Sequence, residues 1–340
     1  MTSLALTLRT PVLFLIFNRP EMTRRVFEAI RSAKPTTLFV AADGPRPSRP
    51  LEAELCNQAR QAVLSGIDWK CEVKTLFRDK NFGCRLAVSS AITWFFDEVE
   101  EGIILEDDCL PEPSFFRYSE ELLEKYRHDN QIMMISGDNF QPVKRGEGSY
   151  WFSRYVHIWG WATWRRAWQK YDLAMKTWPE IRDSGHLKHT LPPSVYNKSK
   201  KLFDRAFDGE LSTWDIQWLF ACWINSGLSI TPNTNLVSNI DSFGTHMKVY
   251  DPFINIPVQA MCYPMQHPEK IAPHEEADRY TQRYIVFRDW RRVLELIVKY
   301  LWRSALKNPV SLPNAVGHVW NNCFSEIRSI WVGCSQRRHL

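Results

Sequence analysis

Short apolar runs at residues 12–17, 38–42, 103–105 and 132–135, with a further strand signal at 73–77, constrain what the first 140 residues can fold into. The run at 12–17 is too short for a helix and lacks polar alternation, which is the pattern of a strand covered on both faces. Helix signals fill the gaps between them. Pro20 sits where a helix would start, with Val26, Phe27 and Ile30 on its apolar side. A polar helix is expected over 51–64, another around Ala87, Ala91, Ile92 and Phe95, and a third carrying Phe115, Phe116, Leu122 and Leu123. This strand–helix rhythm predicts an α/β fold with a parallel, doubly wound sheet. Ligands of such sheets bind beyond the carboxyl ends of the strands.

Three of those ends carry polar residues: Asn18-Arg19, Asp43-Gly44 and Glu106-Asp107-Asp108. The last is the most informative. Like charges that close repel one another, and a divalent cation removes the cost. Oxygen donors in this number suit Mg²⁺ or Mn²⁺, which can clamp a diphosphate and take up its charge as it leaves. The alternative is an acidic turn in which Asp108 caps a helix starting near Pro113. Neither a Gly-x-Gly-x-x-Gly turn nor a Walker lysine loop is present, so dinucleotide-binding and P-loop folds lack their phosphate cradle.

Most of the fifteen tryptophans lie in the second half. Trp161, Trp164 and Trp168 fall at helical spacing and read as a core-facing stripe. Trp159-Gly160-Trp161 also suits a sugar platform, because indole faces pack on the apolar faces of sugars and glycine permits close approach. Residues 183–200 read as a polar connection. A helix over 213–225 carries Trp214, Trp218, Phe220 and Trp223, with Asp215 in its first turn. Asp215 is either a carboxylate favoured by the helix dipole or a general base. His246 sits in a loop-rich stretch, as a phosphate or metal contact or as a surface residue.

An amphipathic basic helix is expected over 280–303, with Tyr284, Phe287, Trp290, Leu294 and Leu301 opposite Arg283, Arg288, Arg291, Arg292 and Arg303. It can lie on an anionic membrane or dock on its own domain. The net charge of +5 is too diffuse to argue for nucleic acid. Eight scattered cysteines without Cys-x-x-Cys spacing read as reduced thiols of a cytoplasmic protein, at the inner face of the membrane if the basic helix binds there.

These residues resemble the GT-A glycosyltransferases, and among them the N-acetylglucosaminyltransferase I type. The likeness runs over roughly 10–250 and is carried by the strand and helix across 11–30, by Asp43-Gly44, by Glu106-Asp107-Asp108 with Pro113, Phe115 and Phe116 behind it, and by Thr213-Trp214-Asp215. The chain is similar to a bacterial set of sugar transferases carrying Trp-Gly-Trp-Ala-Thr-Trp. The resemblance implies a GT-A sheet, mostly parallel and flanked by helices. Its nucleotide-sugar-binding half would span 10–140 and its aromatic-rich acceptor half 141–250, while the C-terminal helical extension expected over 280–340 has no counterpart in the family. It also implies a nucleotide-diphosphate donor, usually a UDP-sugar, with Mn²⁺ or Mg²⁺ and a glycan or lipid-linked acceptor. Asn18, Arg19, Asp43, Arg85 and Asp107 would hold the donor, and Asp108 with Glu106 the metal. Trp159, Trp161, Trp214 and His246 would face the sugars, and Asp215 would be the base of an inverting transfer, with Asp241 next in line. The Phe-Asn-Arg-Pro end of the first strand departs from the family pattern and leaves the base open. Rival expectations are a nucleotidyltransferase acting on sugar phosphates, a non-catalytic sugar-binding protein and a retaining mechanism.

Overall fold

The computed structural model describes residues 7–241 and 253–286, apart from the side chains of residues 189 and 190. Its elements run β1 (Val12–Ile16), α1 (Pro20–Ala33), β2 (Thr37–Ala42), α2 (Glu52–Leu64), β3 (Glu72–Phe77), α3 (Gly83–Glu98), β4 (Glu101–Glu106), β5 (Cys109–Pro111), α4 (Ser114–Lys125) and β6 (Ile132–Ser136). Then follow β7 (Tyr150–Ser153), β8 (Trp161–Trp164), α5 (Arg165–Trp168), α6 (Trp178–Ser184), α7 (His186–Thr190), α8 (Pro193–Phe207), α9 (Asp215–Ile224), β9 (Leu228–Pro232), β10 (Val237–Asn239) and α10 (Glu275–Thr281). A π-helical turn over Gln282–Val286 extends α10.

Eight strands form one sheet in the order β3-β2-β1-β4-β8-β6-β9-β7. The pairs β3–β2, β2–β1, β1–β4 and β6–β9 are parallel, while β8 runs antiparallel to both its neighbours and β7 antiparallel to β9. The sheet is therefore mostly parallel, with two reversed strands. The continuous apolar runs have their expected cause. Val12, Phe14 and Ile16 point into a core shared with α1, α2 and α4, while Leu13 and Leu15 point into a second core under α3, α5 and α9. A third apolar cluster joins Trp178, Val195, Phe203, Phe220 and Trp223 of α6, α8 and α9.

The structure corrects two expectations. Trp161, Trp164 and Trp168 do not share a helix. Trp161–Trp164 is the strand β8, wedged between β4 and β6, and only the single turn of α5 is helical. Side chains alternate across a strand, so Trp161 joins the second core and Trp164 the first. A strand followed by one helical turn produces the same spacing as a helix. Gly160 precedes β8 at φ +67°, and a Cβ there would meet Val237 at 2.8 Å.

Residues 183–200 are not a polar connection. Pro193 opens α8, whose buried face is Val195, Ser199, Phe203 and Ala206, with Ser199 hiding the apolar period. The helix expected near Pro113 is α4, and between it and the acidic turn Cys109–Pro111 pairs antiparallel with Val237–Asn239.

The core also continues beyond residue 250. Met261 and Met265 pack into it, and Asp278 of α10 accepts a hydrogen bond from Ser153 Oγ at 2.6 Å. The basic helix expected over 280–303 and His246 lie, apart from residues up to 286, outside the described residues. Among the described residues no helix is long and apolar enough to cross a membrane. Cys56, Cys71, Cys84, Cys109, Cys222 and Cys262 are free thiols.

Trp161 is fully buried, stacks on Trp214 at 5.7 Å and 17°, and lies 5.8 Å from Trp218. Trp161→Ala is expected to cost about 3–5 kcal/mol of unfolding free energy in a denaturant titration, as a core indole does. A variant that keeps wild-type stability but loses sugar binding would return Trp161 to the sugar platform.

Candidate active site

The parallel register brings the ends of β1, β2, β3 and β4 to one edge, and the polar residues just beyond them face each other. At β4 the chain leaves the sheet with Glu106, Asp107 and Asp108. Phe17 N–H, past the end of β1, donates to Asp107 Oδ2 at 3.3 Å. The β5–β10 ladder adds a fourth acid: Ile240 N–H donates to the Asp108 carbonyl at 2.8 Å, which sets Asp241 against Asp108. Asp108 caps no helix. The turn of α4 is tied instead by Glu112, whose carboxylate accepts from Ser114 N–H at 2.7 Å.

Arg19, placed by Pro20 at the first turn of α1, reaches into this group. Its Nη1 donates to Asp108 Oδ2 at 3.2 Å and to Asp241 Oδ2 at 3.0 Å, and its Nη2 to Asp107 Oδ1. Burial opposes the charge on Arg19, but Asp107, Asp108 and Asp241 together raise its pKa above the ordinary value. The acids remain in excess. Burial, helped by Asp108 and Asp107, pushes Glu106 up to about 8. Burial also pushes Asp107 up to about 6, against the pull of Arg19.

At the end of β2, Asp43 is committed to the backbone. Its carboxylate accepts from the N–H groups of Gly44, Phe82 and Gly83 at 2.9–3.1 Å and from Asn81 Nδ2 at 3.0 Å. A carboxylate has about four acceptor positions, and these bonds take them. Gly44 is required there, because a Cβ would lie 2.5 Å from the Lys80 backbone. Asn18 is committed too: Nδ2 donates at 2.8 Å to buried Glu52, which Arg46 holds through its Nε and backbone N–H.

A cavity of about 530 Å³ opens along these strand ends. Of the candidates from the sequence, Arg19, Asp43, Glu106, Asp107, Asp108 and Trp159 line it, as does Asp241. Asn18, Arg85, Trp161, Trp214 and Asp215 do not. Arg85 turns away, with Nη2 donating to the Leu173 carbonyl at 3.0 Å. Trp161 and Trp214 are stacked in the core, where neither indole face is open to a sugar. Asp215 opens α9, accepts from the Thr213 hydroxyl, and lies near enough for its charge to raise Glu106 and Cys84. Its neighbour Ser212 is in the lining.

Sequence reasoning missed Arg46 and Arg78, which bring positive charge to the β2 and β3 side of the cavity. Arg78 follows β3 directly, donates to Ser90 Oγ at 2.8 Å, and stands over the Phe82 ring at 5.2 Å. The signal was only its position after a strand, which a sequence full of arginines hides.

The donor set around Asp108 is all carboxylate, the chemistry of a hard divalent cation. Asp107, Asp108 and Asp241 already converge on a positive group, the Arg19 guanidinium. These acids thus fit a cation in kind, with Arg19 as its stand-in. Among the described residues no trio of His, Cys, Asp or Glu is arranged as a metal site.

No family model and no curated protein matches the chain. Among solved structures it is similar to TarS 1–349 of S. aureus, at 9% identity over 67% of this chain and 59% of that one, with a TM-score of 0.38. It is also similar to mouse xyloside xylosyltransferase 1 in its apo form, at 12% identity over 63% and 81%, with a TM-score of 0.32. A UDP-glucose pyrophosphorylase complexed with UDP-glucose matches at 13% identity over 41% and 63%, with a TM-score of 0.26. At such distances the fold class rests on the chain's own strand order and directions.

The raised pKa of Glu106 makes a stability prediction. A carboxyl that stays protonated in the folded state up to about 8 favours folding at low pH, and that contribution is lost as pH rises from the ordinary carboxylate range through 8. Glu106→Gln removes the titration. In thermal melts with a chelator present, the variant should exceed wild type at pH 8, and the difference should vanish toward pH 4. A difference independent of pH would mean that Glu106 titrates alike in the folded and unfolded states.

Proposed function

We propose that the protein is a glycosyltransferase that moves a sugar from a nucleotide-diphosphate donor, a UDP-sugar foremost, to the hydroxyl of a glycan or lipid-linked acceptor. The observation that carries this reading is the cavity itself. It lies at the carboxyl ends of a mostly parallel sheet and sets Asp107, Asp108 and Asp241 beside Arg19 at one side and Arg46 and Arg78 at the other. Strand spacing of about 4.8 Å makes the distance from β4 to β3 about 14 Å, the length of a nucleotide diphosphate laid along the edge.

A diphosphate entering beside Asp107, Asp108 and Asp241 would be repelled unless positive charge accompanies it. Mg²⁺ or Mn²⁺, held by Asp108 with Asp241 or Glu106, would neutralise the departing nucleoside diphosphate. Arg19 donates hydrogen bonds on the same side, and Trp159 offers an indole face beside the reacting sugar. Asp215 does not itself line the cavity but follows Ser212, which does, and through one water it would take the proton of the acceptor hydroxyl as that oxygen bonds to the anomeric carbon and the bond to the diphosphate breaks. Attack opposite the leaving group inverts the anomeric centre.

Two variants test the parts separately. Asp215→Asn should lower turnover by about 10²–10⁴-fold while nucleotide affinity and melting temperature hold. Full activity in that variant would move the base to another carboxylate, Asp241 first. Asp108→Ala should fold but lose the Mn²⁺-dependent rise in melting temperature that UDP gives wild type. An unchanged rise would remove the metal assignment. Product analysis separates the nearest rival, since glycosyl transfer releases a nucleoside diphosphate and nucleotidyl transfer to a sugar phosphate releases pyrophosphate from a triphosphate.

A further inference from the structure

Arg19 fills the point on which the acids converge. Its Nη1 lies 3.2 Å from Asp108 Oδ2 and 3.0 Å from Asp241 Oδ2, so one nitrogen holds both oxygens, while Asp107 is held by the other nitrogen. A hard divalent cation needs carboxylate oxygens at about 2.0–2.2 Å. A cation bridging those two oxygens would stand where Nη1 now stands.

We propose that Arg19 and the divalent cation are alternative occupants of the Asp108–Asp241 pair, and that cation capture is an exchange in which Nη1 leaves while Nη2 stays on Asp107. This rests on the reading of the cavity as a metal-dependent donor site. The division of labour between the two nitrogens makes the exchange local. Asp107 is almost completely buried, whereas Arg19 and Asp108 are open to the cavity, so the contact that breaks is the accessible one. The released Nη1 stays tethered beside the cation and presents a donor to a phosphate oxygen. Arg19 is in this sense a positioning residue: it keeps the acids together before the donor arrives, and its release couples metal binding to nucleotide binding.

An occupant that must be displaced lowers apparent affinity by the fraction of protein in which the site is free, so removing it should tighten metal binding by about tenfold or more. The test is calorimetric titration of Mn²⁺ into the full chain, with and without UDP. Without nucleotide, Arg19→Gln should bind Mn²⁺ at least about tenfold more tightly than wild type, and UDP should improve its Mn²⁺ affinity less than it improves that of wild type. Arg78→Gln, titrated without nucleotide only, is the control for loss of a positive charge from the cavity. Arg78 lines the same cavity but has no carboxylate ion pair among the described residues, so its loss should leave Mn²⁺ affinity within about twofold.

Equal or weaker binding by Arg19→Gln, with wild type still binding Mn²⁺, overturns the exchange and leaves the metal reading standing. Tightening of the same size in Arg78→Gln also overturns it, since general charge removal would then suffice. No Mn²⁺ binding by any of the proteins, even with UDP, removes the metal reading and the exchange together. If Arg19→Gln does not fold, Arg19→Lys decides. A single ammonium cannot span three carboxylates, so Mn²⁺ affinity should rise by at least about threefold, and no rise overturns the proposal.

Discussion

The arrangement of the strand ends depends on one electrostatic constraint: three carboxylates gathered at the edge of a buried sheet around one arginine. Taking charges out of water costs several kcal/mol each, and the cost is offset only when they are paired with good geometry. Arg19 provides that pairing for Asp107, Asp108 and Asp241 at once. Each participant comes from a different part of the chain: Arg19 from the turn into α1, Asp107 and Asp108 from the end of β4, Asp241 from beyond β10. The two small strands β5 and β10 make the third part possible, because their pairing delivers Asp241 from more than 130 residues away. A segment from the second half of the chain thus meets the strand ends of the first half.

Rigidity behind this node comes from aromatic packing. Trp161 and Trp168 lie 6.3 Å apart and each within 5.3–6.4 Å of Trp214 and Trp218, and Trp168 stacks on Tyr171 at 4.2 Å. Such faces are worth about 0.5–1.5 kcal/mol per pair beyond the area they bury. Their effect on the site is positional. Trp214 precedes Asp215, so the stack that anchors the indole also fixes where the carboxylate begins α9. On the other side of Gly160, Trp159 packs edge-on against Phe140 at 5.0 Å, and it alone of the Trp-Gly-Trp pair reaches the cavity.

Four of the five parallel strands of the first half were legible because double burial leaves an apolar run, whereas β3 lies half-exposed at the sheet edge with Lys74 and Thr75 in it, and Pro20 marked the first helix. What stayed hidden had a local signal that points two ways. Trp161, Trp164 and Trp168 satisfy a helical period and equally a strand with one turn appended. Ser199 interrupts the apolar face of α8, which then reads as a connection. The short pairing of Cys109–Pro111 with Val237–Asn239 is non-local, and no window of sequence contains both partners. The site divides in the same way. The acids and Arg19 stood out because consecutive charges after a strand are unusual. Asp43 lines the cavity but its carboxylate is taken up by the loop at 81–83, and Asn18 gives one donor to Glu52. Arg46 and Arg78 carry no motif, and only the folded sheet edge reveals them.

The most direct measurement of the central claim is a crystal structure of the full chain with UDP and Mn²⁺. The account predicts a nucleotide lying across the ends of β3, β2 and β1, its diphosphate toward β4, with Mn²⁺ between the phosphates and Asp108. A nucleotide bound away from that edge, or in it with the diphosphate pointing toward β3 and no cation at Asp108, would contradict it.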